Sequence, residues 1–242
     1  MGLWSDLKIL YHLALKPVRG KDHAARLENF YSGQAEAYDD FRKRLLKGRR
    51  EMYTGVPLPE NGLWVDMGGG TGANLEYIAE NIPKLRKAYI LDLSPSLLTV
   101  ANNRIAAREW KNVETVEADA TTFQPADGPA DVVTFSYSLT MIPDWFAAIE
   151  NAAAMLKPGG ILGVVDFYVS RKYPRDGLKR HGWFTRTFWP TWFGMDNVYP
   201  SPDHVPFLHR HFEPLRFEEE KAKVPYVPLA RMPYYVFVGK KR

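Results

Sequence analysis

From residue 63 onward, short apolar runs alternate with longer segments that have one apolar and one polar face. The apolar runs predict buried strands, and the two-faced segments predict helices. The predicted strands are residues 63–67, 88–91, 113–117, 132–135 and 161–169, and the predicted helices are 72–82, 95–108 and 144–156. This alternation is typical of βαβ units, which form a parallel sheet covered by helices on both faces.

The two ends of the chain follow different patterns. Leucines at near-helical spacing predict a helix over residues 2–15, and a second helical stretch is predicted over 22–53. Residues 212–221 and 234–238 are predicted to be strands with no long helix between them. We therefore expect an antiparallel hairpin at one edge of the sheet.

Composition supports one globular domain. The chain has 242 residues, of which 45% are hydrophobic and 14% aromatic, enough apolar surface to build a core. The absence of cysteine excludes a disulfide scaffold, a thiolate zinc site and a catalytic thiol. The histidines show no metal-binding spacing, so we expect no metal. Since no apolar run approaches the ~20 residues that span a bilayer and no signal-peptide pattern is present, we expect a cytoplasmic protein.

Charge is distributed unevenly along the chain. Residues 1–50 carry a net charge of +5 and residues 170–242 carry +7, whereas the segment between them carries −8. If the basic ends fold onto one face, that face would attract an anionic membrane surface or another polyanion. Solvated charged faces would account for the same pattern.

A glycine-rich loop follows the first predicted strand. Gly68, Gly70 and Gly72 allow the backbone to approach a ligand at the start of a helix, and Asp66 precedes them. Gly68 and Gly70 also satisfy the dinucleotide fingerprint, which leaves a dehydrogenase open. The carboxylate of Asp66 disfavours that alternative because it would repel a pyrophosphate.

Further acids follow the next two predicted strands, Asp92 after the second and Asp119 after the third. Carboxyl ends of parallel strands meet at one sheet edge, and an acid after the second strand commonly binds ribose hydroxyls. Three acids around a glycine loop suit an uncharged nucleoside joined to a cationic group, as in S-adenosylmethionine. The alternative is that these acids only cap helices.

Residues 62–169 resemble class I S-adenosylmethionine-dependent methyltransferases, and Leu156-Lys157-Pro158-Gly159-Gly160 before a strand is a further hallmark of that family. The resemblance implies a Rossmann-like α/β fold with a mostly parallel seven-stranded sheet and an antiparallel edge hairpin. It implies S-adenosylmethionine as the cofactor. The implied cofactor-binding residues are Asp66, Gly68, Gly70 and Gly72 for the methionine part, Asp92 with Leu93 for the ribose, Asp119 and Ala120 for the adenine, and Ser136 facing the transferred methyl.

Aromatic residues are concentrated between Trp183 and Tyr199, where seven occur in seventeen positions. Such a segment could stack a quinone, hold a quaternary ammonium or enter a bilayer headgroup layer, or it could be an ordinary hydrophobic lid. We expect His181, Trp183 and Trp189 to contact the substrate. The fourth strand leads into Ser136-Tyr137-Ser138 and not into an Asn-Pro-Pro-Tyr type motif, so we expect no nucleic-acid partner.

The flanks are similar to the methyltransferase part of betaine lipid synthases. The similarity rests on Asp22-His23, Phe30-Tyr31 and Tyr38-Asp39 near the start, and on 224–228 and 231–235 near the end. It implies trimethylation of the homoserine amine of a diacylglycerol ether lipid, with a separate aminocarboxypropyl transferase as a partner. It also implies that Tyr31 is catalytic, orienting the amine or accepting its proton through water, and that Tyr38 lies over the cofactor.

Together these features predict one methyltransferase domain over residues 1–242. It comprises an N-terminal helical lid (1–55), a cofactor-binding core (62–169), an aromatic and basic insertion (170–205) and edge strands (206–242). The expected activity is N-methylation of a lipid or hydrophobic amine by a protein peripheral to the membrane. Two alternatives are C- or O-methylation of a quinone or other hydrophobic small molecule, and a non-catalytic cofactor-binding partner subunit.

Overall fold

A computed structural model describes residues 45–195, 197–224 and 230–242 of the chain. The helix predicted over residues 2–15, and all of the predicted N-terminal lid up to residue 44, lie outside this part. Tyr31 and Tyr38 therefore also lie outside the described residues. No helix among those that are described combines the length and the apolar character needed to cross a membrane.

A seven-stranded sheet organises the molecule. Its strands are β1 (Leu63–Met67), β2 (Lys87–Asp92), β3 (Val113–Glu117), β4 (Ala130–Ser136), β5 (Leu156–Phe167), β6 (Phe212–Lys223) and β7 (Arg231–Lys241). Their order across the sheet is β3-β2-β1-β4-β5-β7-β6, with β1 to β5 parallel and β7 antiparallel to both of its neighbours. The predicted Rossmann-like fold, with an antiparallel pair at the edge, is confirmed.

Helices cover both faces of the sheet. They are α1 (Arg49–Gly55), a 3₁₀ segment (Ala73–Lys84), α2 (Pro95–Ala107), α3 (Trp145–Met155), α4 (Trp183–Gly194) and α5 (His204–His211). Side chains of α1, the 3₁₀ segment, α2 and α4 pack in one apolar cluster, whereas α3 and α5 pack in a second cluster on the opposite face. The sheet is thus buried on both sides, as its continuous apolar strands predict.

Local sequence determines where α2 and α3 begin. Ser94 Oγ accepts a hydrogen bond from the backbone N–H of Leu97, and Pro95 occupies the first turn of α2. Asp144 Oδ1 caps α3 in the same way through the N–H of Ala147. Strand β5 begins directly after α3, so residues 157–160, which separate the predicted helix (144–156) from the predicted strand (161–169), lie within the strand.

The described part of the predicted 22–53 helix is interrupted at Gly48. This residue has a left-handed backbone (φ +80°), and a Cβ here would lie 2.6 Å from Cε2 of Tyr234 on β7. Only glycine fits this close approach without displacing its neighbour. Helix α1 therefore starts afresh at Arg49, and its residues Met52 and Tyr53 are completely buried against the sheet.

The helix predicted over residues 72–82 is a segment of tight 3₁₀ turns over Ala73–Lys84. The backbone leaves helical geometry at Ile78 (φ −124°, ψ 21°), and Pro83 lies inside the segment. Proline lacks the N–H that an α-helix would use at this position, which favours the shorter turns. The segment still places Leu75, Ile78 and Ile82 in the core.

Candidate cofactor site

A cavity of about 260 Å³ opens at the carboxyl ends of the parallel strands. This is the edge where ligands bind in open α/β sheets, because the loops after the strands diverge there. The side chains around it are mainly apolar or acidic. The lining residues are Gly68, Gly70, Leu91, Asp92, Leu93, Leu97, Ala118, Asp119, Ala120, Thr121, Tyr137, Ser138, Met141, Ile142, Pro143 and Asp144.

The glycine loop after β1 forms one wall of the cavity. Gly68, Gly70 and Gly72 have φ values of +67°, +57° and +67°, a backbone region that suits glycine. A Cβ on Gly68 would lie 2.5 Å from Cβ of Ser138, so this glycine is also required by close packing. Gly68 and Gly70 line the cavity, whereas Gly72 precedes the 3₁₀ segment and is not among the lining residues.

Asp92 joins the glycine loop to the end of β2. Its Oδ2 accepts a hydrogen bond of 2.9 Å from the N–H of Gly70, and its Oδ1 accepts one of 3.0 Å from the N–H of Ser94. A carboxylate at this position commonly binds ribose hydroxyls. Asp92 thus shapes the loop and presents oxygen to the cavity.

The end of β3 forms the opposite wall. Asp119 Oδ1 accepts hydrogen bonds of 2.8 Å from both the N–H and the hydroxyl of Thr121, and Ala120 is buried beside them. With Leu93 and Ile142, these residues give an apolar slot with polar atoms at its rim. Such a slot suits a planar, uncharged base.

Asp66 lies beneath the loop and not in the cavity wall. It is completely buried, and its Oδ1 accepts hydrogen bonds from the hydroxyls of Tyr53 (2.5 Å) and Thr134 (2.7 Å). Its Oδ2 has no hydrogen-bond partner among the residues that the structure describes. Burial raises the pKa of Asp66 from 3.8 to about 6, although the two hydroxyl hydrogen bonds oppose that change.

The electrostatics of the cavity restrict what it can hold. Three carboxylates line it, those of Asp92, Asp119 and Asp144, and its described lining contains no lysine, arginine or histidine. A pyrophosphate would meet only like charge here. The same charges favour a nucleoside that carries a sulfonium and an ammonium group. Because the glycines of the loop have no side chain, such a ligand can approach the backbone of the loop. The residues present therefore fit S-adenosylmethionine and do not fit a dinucleotide.

Comparison with known proteins agrees with this fit. Residues 65–160, which run from β1 into β5, match the family model of a methyltransferase domain. The match, together with the class I methyltransferase fold of the sheet, supports an S-adenosylmethionine-dependent methyltransferase. Its cofactor is S-adenosylmethionine, which when bound carries an electrophilic methyl group on a sulfonium.

Two relatives match a longer part of the chain than the family model does. The demethylmenaquinone methyltransferase of Geobacillus stearothermophilus is 28% identical over 119 residues, 49% of this chain and 51% of the relative. The ubiquinone/menaquinone biosynthesis C-methyltransferase UbiE of Pseudomonas fluorescens (strain SBW25) is 25% identical over 169 residues, 67% of this chain and 66% of the relative. The chain thus spans between half and two thirds of the length of these relatives.

One structural neighbour carries a bound ligand. The N-methyltransferase NodS from Bradyrhizobium japonicum WM9, in complex with S-adenosyl-L-homocysteine, has a TM-score of 0.55 and 13% identity over 87% of this chain and 90% of that one. At this identity the likeness shows a shared fold.

The methyltransferase domain has a different arrangement after β4 from the one the sequence predicts. Ser136 is buried and is not among the lining residues, whereas Tyr137 and Ser138 line the cavity. Tyr137 has a left-handed backbone (φ +55°), rare for a bulky residue, and such outliers concentrate at functional sites. The sequence could have indicated Tyr137 and Ser138 as lining residues only by their position directly after a strand. The change of backbone direction at Tyr137 leaves no recognisable pattern in the sequence.

The three residues predicted to contact the substrate are not brought together at the cavity. His181 is buried, and its Nδ1 accepts a hydrogen bond of 3.0 Å from the N–H of Ser170, which leaves the ring neutral. Burial lowers the pKa of His181 to about 4. Trp189 packs in the core with Phe193, and Trp183 is largely exposed on α4. Of these three side chains, only that of Trp183 is exposed enough to contact a large partner.

Proposed function

We propose that this methyltransferase domain transfers methyl groups to an amine in a lipid headgroup at a membrane surface. The specific reaction that we propose is trimethylation of the homoserine amine of a diacylglycerol ether lipid, on the cytoplasmic face. The flanking resemblance to betaine lipid synthases, the exposed aromatic residues of α4 and the acidic cofactor cavity support the proposal. An aminocarboxypropyl transferase would have to supply the lipid amine.

An aromatic surface surrounds α4. We use this name for Trp183, Phe184, Trp192, Met195 and Tyr199, of which Trp183 is 73% and Phe184 65% exposed. Large rings seldom remain exposed in a monomer without a partner, and tryptophan and tyrosine favour the headgroup layer of a bilayer. The segment just before α4 carries Lys179 and Arg180, so cations accompany the rings, as in helices that lie on anionic membranes.

The observation that carries the proposal is a direct packing connection between this surface and the cofactor cavity. Phe193 of α4 packs on Phe167 with ring centroids 5.3 Å apart, and Phe167 packs on Tyr137 at 4.6 Å. The N–H of Tyr199 donates a hydrogen bond of 2.7 Å to the carbonyl of Thr140, one residue before the cavity-lining Met141. A lipid that enters beside α4 would therefore arrive next to the residues that line the cavity.

The cavity chemistry suits an amine. Repeated methylation of an amine creates a fixed positive charge, and the carboxylates of the cavity favour such a charge. Each transfer forms an N–C bond as the methyl leaves the sulfur, and the amine must be neutral to attack, so every transfer releases one proton, which passes to solvent. Beyond this, the reaction mainly needs alignment of the reactants, since the sulfonium already activates the carbon. The described lining of the cavity supplies this alignment through the glycine backbone, the carboxylates and the apolar side chains, without a dedicated base.

A second candidate is C-methylation of a quinone. It is favoured by the printed names of the curated relatives, which include a demethylmenaquinone methyltransferase and ubiquinone/menaquinone biosynthesis C-methyltransferases. The aromatic surface would suit a quinone with a long apolar tail equally well. Attack through a ring carbon requires that the quinol lose a proton, as the ammonium must in the first candidate, so the need for a base does not separate the two candidates.

Lipid mass spectrometry in a host that makes the homoserine lipid precursor tests the proposal. We expect a trimethylated lipid with the wild-type chain and none with Asp92→Ala, which removes a carboxylate from the cavity. Asp176→Ala changes an exposed loop acid by the same substitution and should retain the product. Unchanged precursor in a host whose quinones gain a methyl group would replace the proposal by the second candidate. Unchanged precursor and quinones, with a folded chain that binds the cofactor, would favour a non-catalytic subunit.

A further inference from the structure

A second, larger cavity lies beside α1 and the 3₁₀ segment. Its volume is about 690 Å³, within the range of small-molecule sites. We call it the basic cavity. Its described lining residues are Leu46, Lys47, Gly48, Arg49, Arg50, Glu51, Ala73, Glu76, Tyr77, Arg104, Arg108 and Tyr234.

Cations outnumber carboxylates in this lining by five to two. Arg104 and Arg108 share Glu76, with nitrogen–oxygen distances of 3.4 and 2.7 Å, so this part is largely neutralised. Lys47 and Arg50 are exposed, and within the part of the chain that the structure describes neither has a carboxylate at salt-bridge distance. Arg50 lies over the ring of Tyr77 at 5.3 Å. The cavity therefore has an unbalanced positive charge next to an aromatic wall.

Tyr137 connects the linings of the basic cavity and the cofactor cavity. The ring of Tyr137 lines the cofactor cavity, and its hydroxyl donates a hydrogen bond of 2.6 Å to the carbonyl of Lys47, a residue of the basic cavity. The next residue, Gly48, has a left-handed backbone and lies close to the ring of Tyr234. One residue thus links the linings of the two cavities.

We propose that the basic cavity binds an anionic oxygen group of the methyl acceptor, a carboxylate or a phosphate, while the acceptor amine reaches the cofactor cavity beside Tyr137. Guanidinium groups are well suited to such oxygens because they donate paired hydrogen bonds in one plane. The inference rests on the proposed function and narrows it, because a zwitterionic amine satisfies both cavities whereas a quinone leaves the cations without a partner.

A carboxylate of the cofactor is the other source of the same chemistry. The excess of three positive charges and the size of the cavity exceed what one carboxylate requires. Arg49 already donates a hydrogen bond of 3.2 Å to Asn74 in the segment after the glycine loop, whereas Lys47 and Arg50 lie at the exposed end of the lining. We therefore assign Lys47 and Arg50 to the acceptor.

Calorimetric titration of the chain loaded with S-adenosylhomocysteine tests this assignment without turnover. The probes are O-dodecyl-homoserine, dodecylphosphoethanolamine and the neutral carboxamide of the first. We expect the wild type to bind at least one anionic probe about tenfold more tightly than the carboxamide. The double variant Lys47→Gln/Arg50→Gln should lose this preference and bind S-adenosylhomocysteine unchanged. Lys111→Gln/Arg210→Gln removes the same charge at exposed positions outside both cavities and the aromatic surface, and should behave as wild type.

Two results would overturn the assignment. One is equal binding of the carboxamide and both anionic probes by the wild type. The other is weaker S-adenosylhomocysteine binding in the Lys47→Gln/Arg50→Gln variant, which would assign the cations to the cofactor carboxylate. Intact anion preference in a chain that methylates none of the probes would support the subsite and count against the proposed function alone.

Discussion

The hydroxyl of Tyr53 donates a 2.5 Å hydrogen bond to Oδ1 of Asp66, and both side chains are completely buried. Tyr53 belongs to α1, whereas Asp66 lies near the end of β1, two residues before the first glycine of the loop. The contact therefore fixes α1 against the sheet directly beneath the cofactor cavity. Thr134 on β4 donates to the same oxygen and itself accepts a hydrogen bond of 2.9 Å from Nε1 of Trp64, so three segments meet at one carboxylate.

Replacement of Tyr53 by phenylalanine should destabilise the fold and weaken cofactor binding. Loss of the donor leaves Asp66 with one hydroxyl partner, and incomplete satisfaction of a buried carboxylate costs about 1–3 kcal/mol. Urea unfolding with and without S-adenosylmethionine measures both effects. Tyr173→Phe, which removes a hydroxyl from an exposed ring, is the matched control and should match wild type. Equal stability of Tyr53→Phe and the control would show that the hydrogen bond contributes nothing.

Asp66 should give the stability of the protein a specific pH dependence. Its pKa is raised from 3.8 to about 6, so the folded state holds the proton more tightly than the unfolded state does. Its stabilising contribution is therefore present below pH 4 and is lost as the pH rises to about 6, by roughly 3 kcal/mol. Asp66→Asn keeps an oxygen for Tyr53 and Thr134 but cannot titrate.

The difference in unfolding free energy between wild type and Asp66→Asn isolates this effect. Asp166, whose pKa burial raises to about 7, titrates in both proteins and cancels in the comparison. We expect the wild type to lose stability relative to the variant between pH 4 and pH 6 and the difference to remain constant above pH 7. A difference that does not vary with pH would contradict the raised pKa.

Gly68→Ala should weaken cofactor binding at least tenfold. The new Cβ would lie 2.5 Å from Cβ of Ser138, and both belong to the loops that form the cavity wall. Gly128→Ala is a demanding control because Gly128 also has a left-handed backbone (φ +93°) but has nothing within 4 Å of the new Cβ. The Gly128→Ala control should lose only the stability that backbone strain costs, about 1–2 kcal/mol. Calorimetry should show at least tenfold weaker binding for Gly68→Ala alone, and similar binding by both variants would mean that the loop tolerates the contact.

The aromatic surface should be required for membrane binding and not for folding. Trp183→Ser/Phe184→Ser removes two rings that are already exposed, so the melting temperature should stay within about 2 °C of wild type. Each ring that enters the bilayer contributes about 1.5–3 kcal/mol, so vesicle affinity should fall at least tenfold. Leu215→Ser, at an exposed apolar residue on β6, should leave it unchanged. Sedimentation with anionic vesicles measures this, and equal binding by all three proteins would contradict the membrane assignment.

Strands β1, β2 and β4 were predictable because each buries a short, largely apolar run. Strand β1 has the bounds that its sequence predicts, and all five of its residues are buried. The start of α2 was predictable because Ser94 and Pro95 determine it through contacts within one turn. The glycine loop and the acids after β2 and β3 follow from the same local rules, since parallel strands bring their ends to one edge.

Other features depend on contacts between residues distant in sequence. The break at Gly48 arises because Tyr234, at the far end of the chain, packs against its backbone. The burial of Asp66 depends on Tyr53 and Thr134, and its acidic character alone suggested a residue that faces the ligand. Tyr137 replaces Ser136 at the cavity because the backbone turns into a left-handed conformation there, which no local pattern indicates.

Methyl transfer by the purified chain tests the central claim most directly. The assay supplies labelled S-adenosylmethionine and phosphatidylglycerol vesicles that contain either diacylglyceryl-homoserine or a demethylated quinone, with Asp92→Ala as the inactive control. We predict label in the homoserine lipid, up to three methyl groups per molecule, and none in the quinone. Label in the quinone alone would contradict the account and identify the chain as a C-methyltransferase.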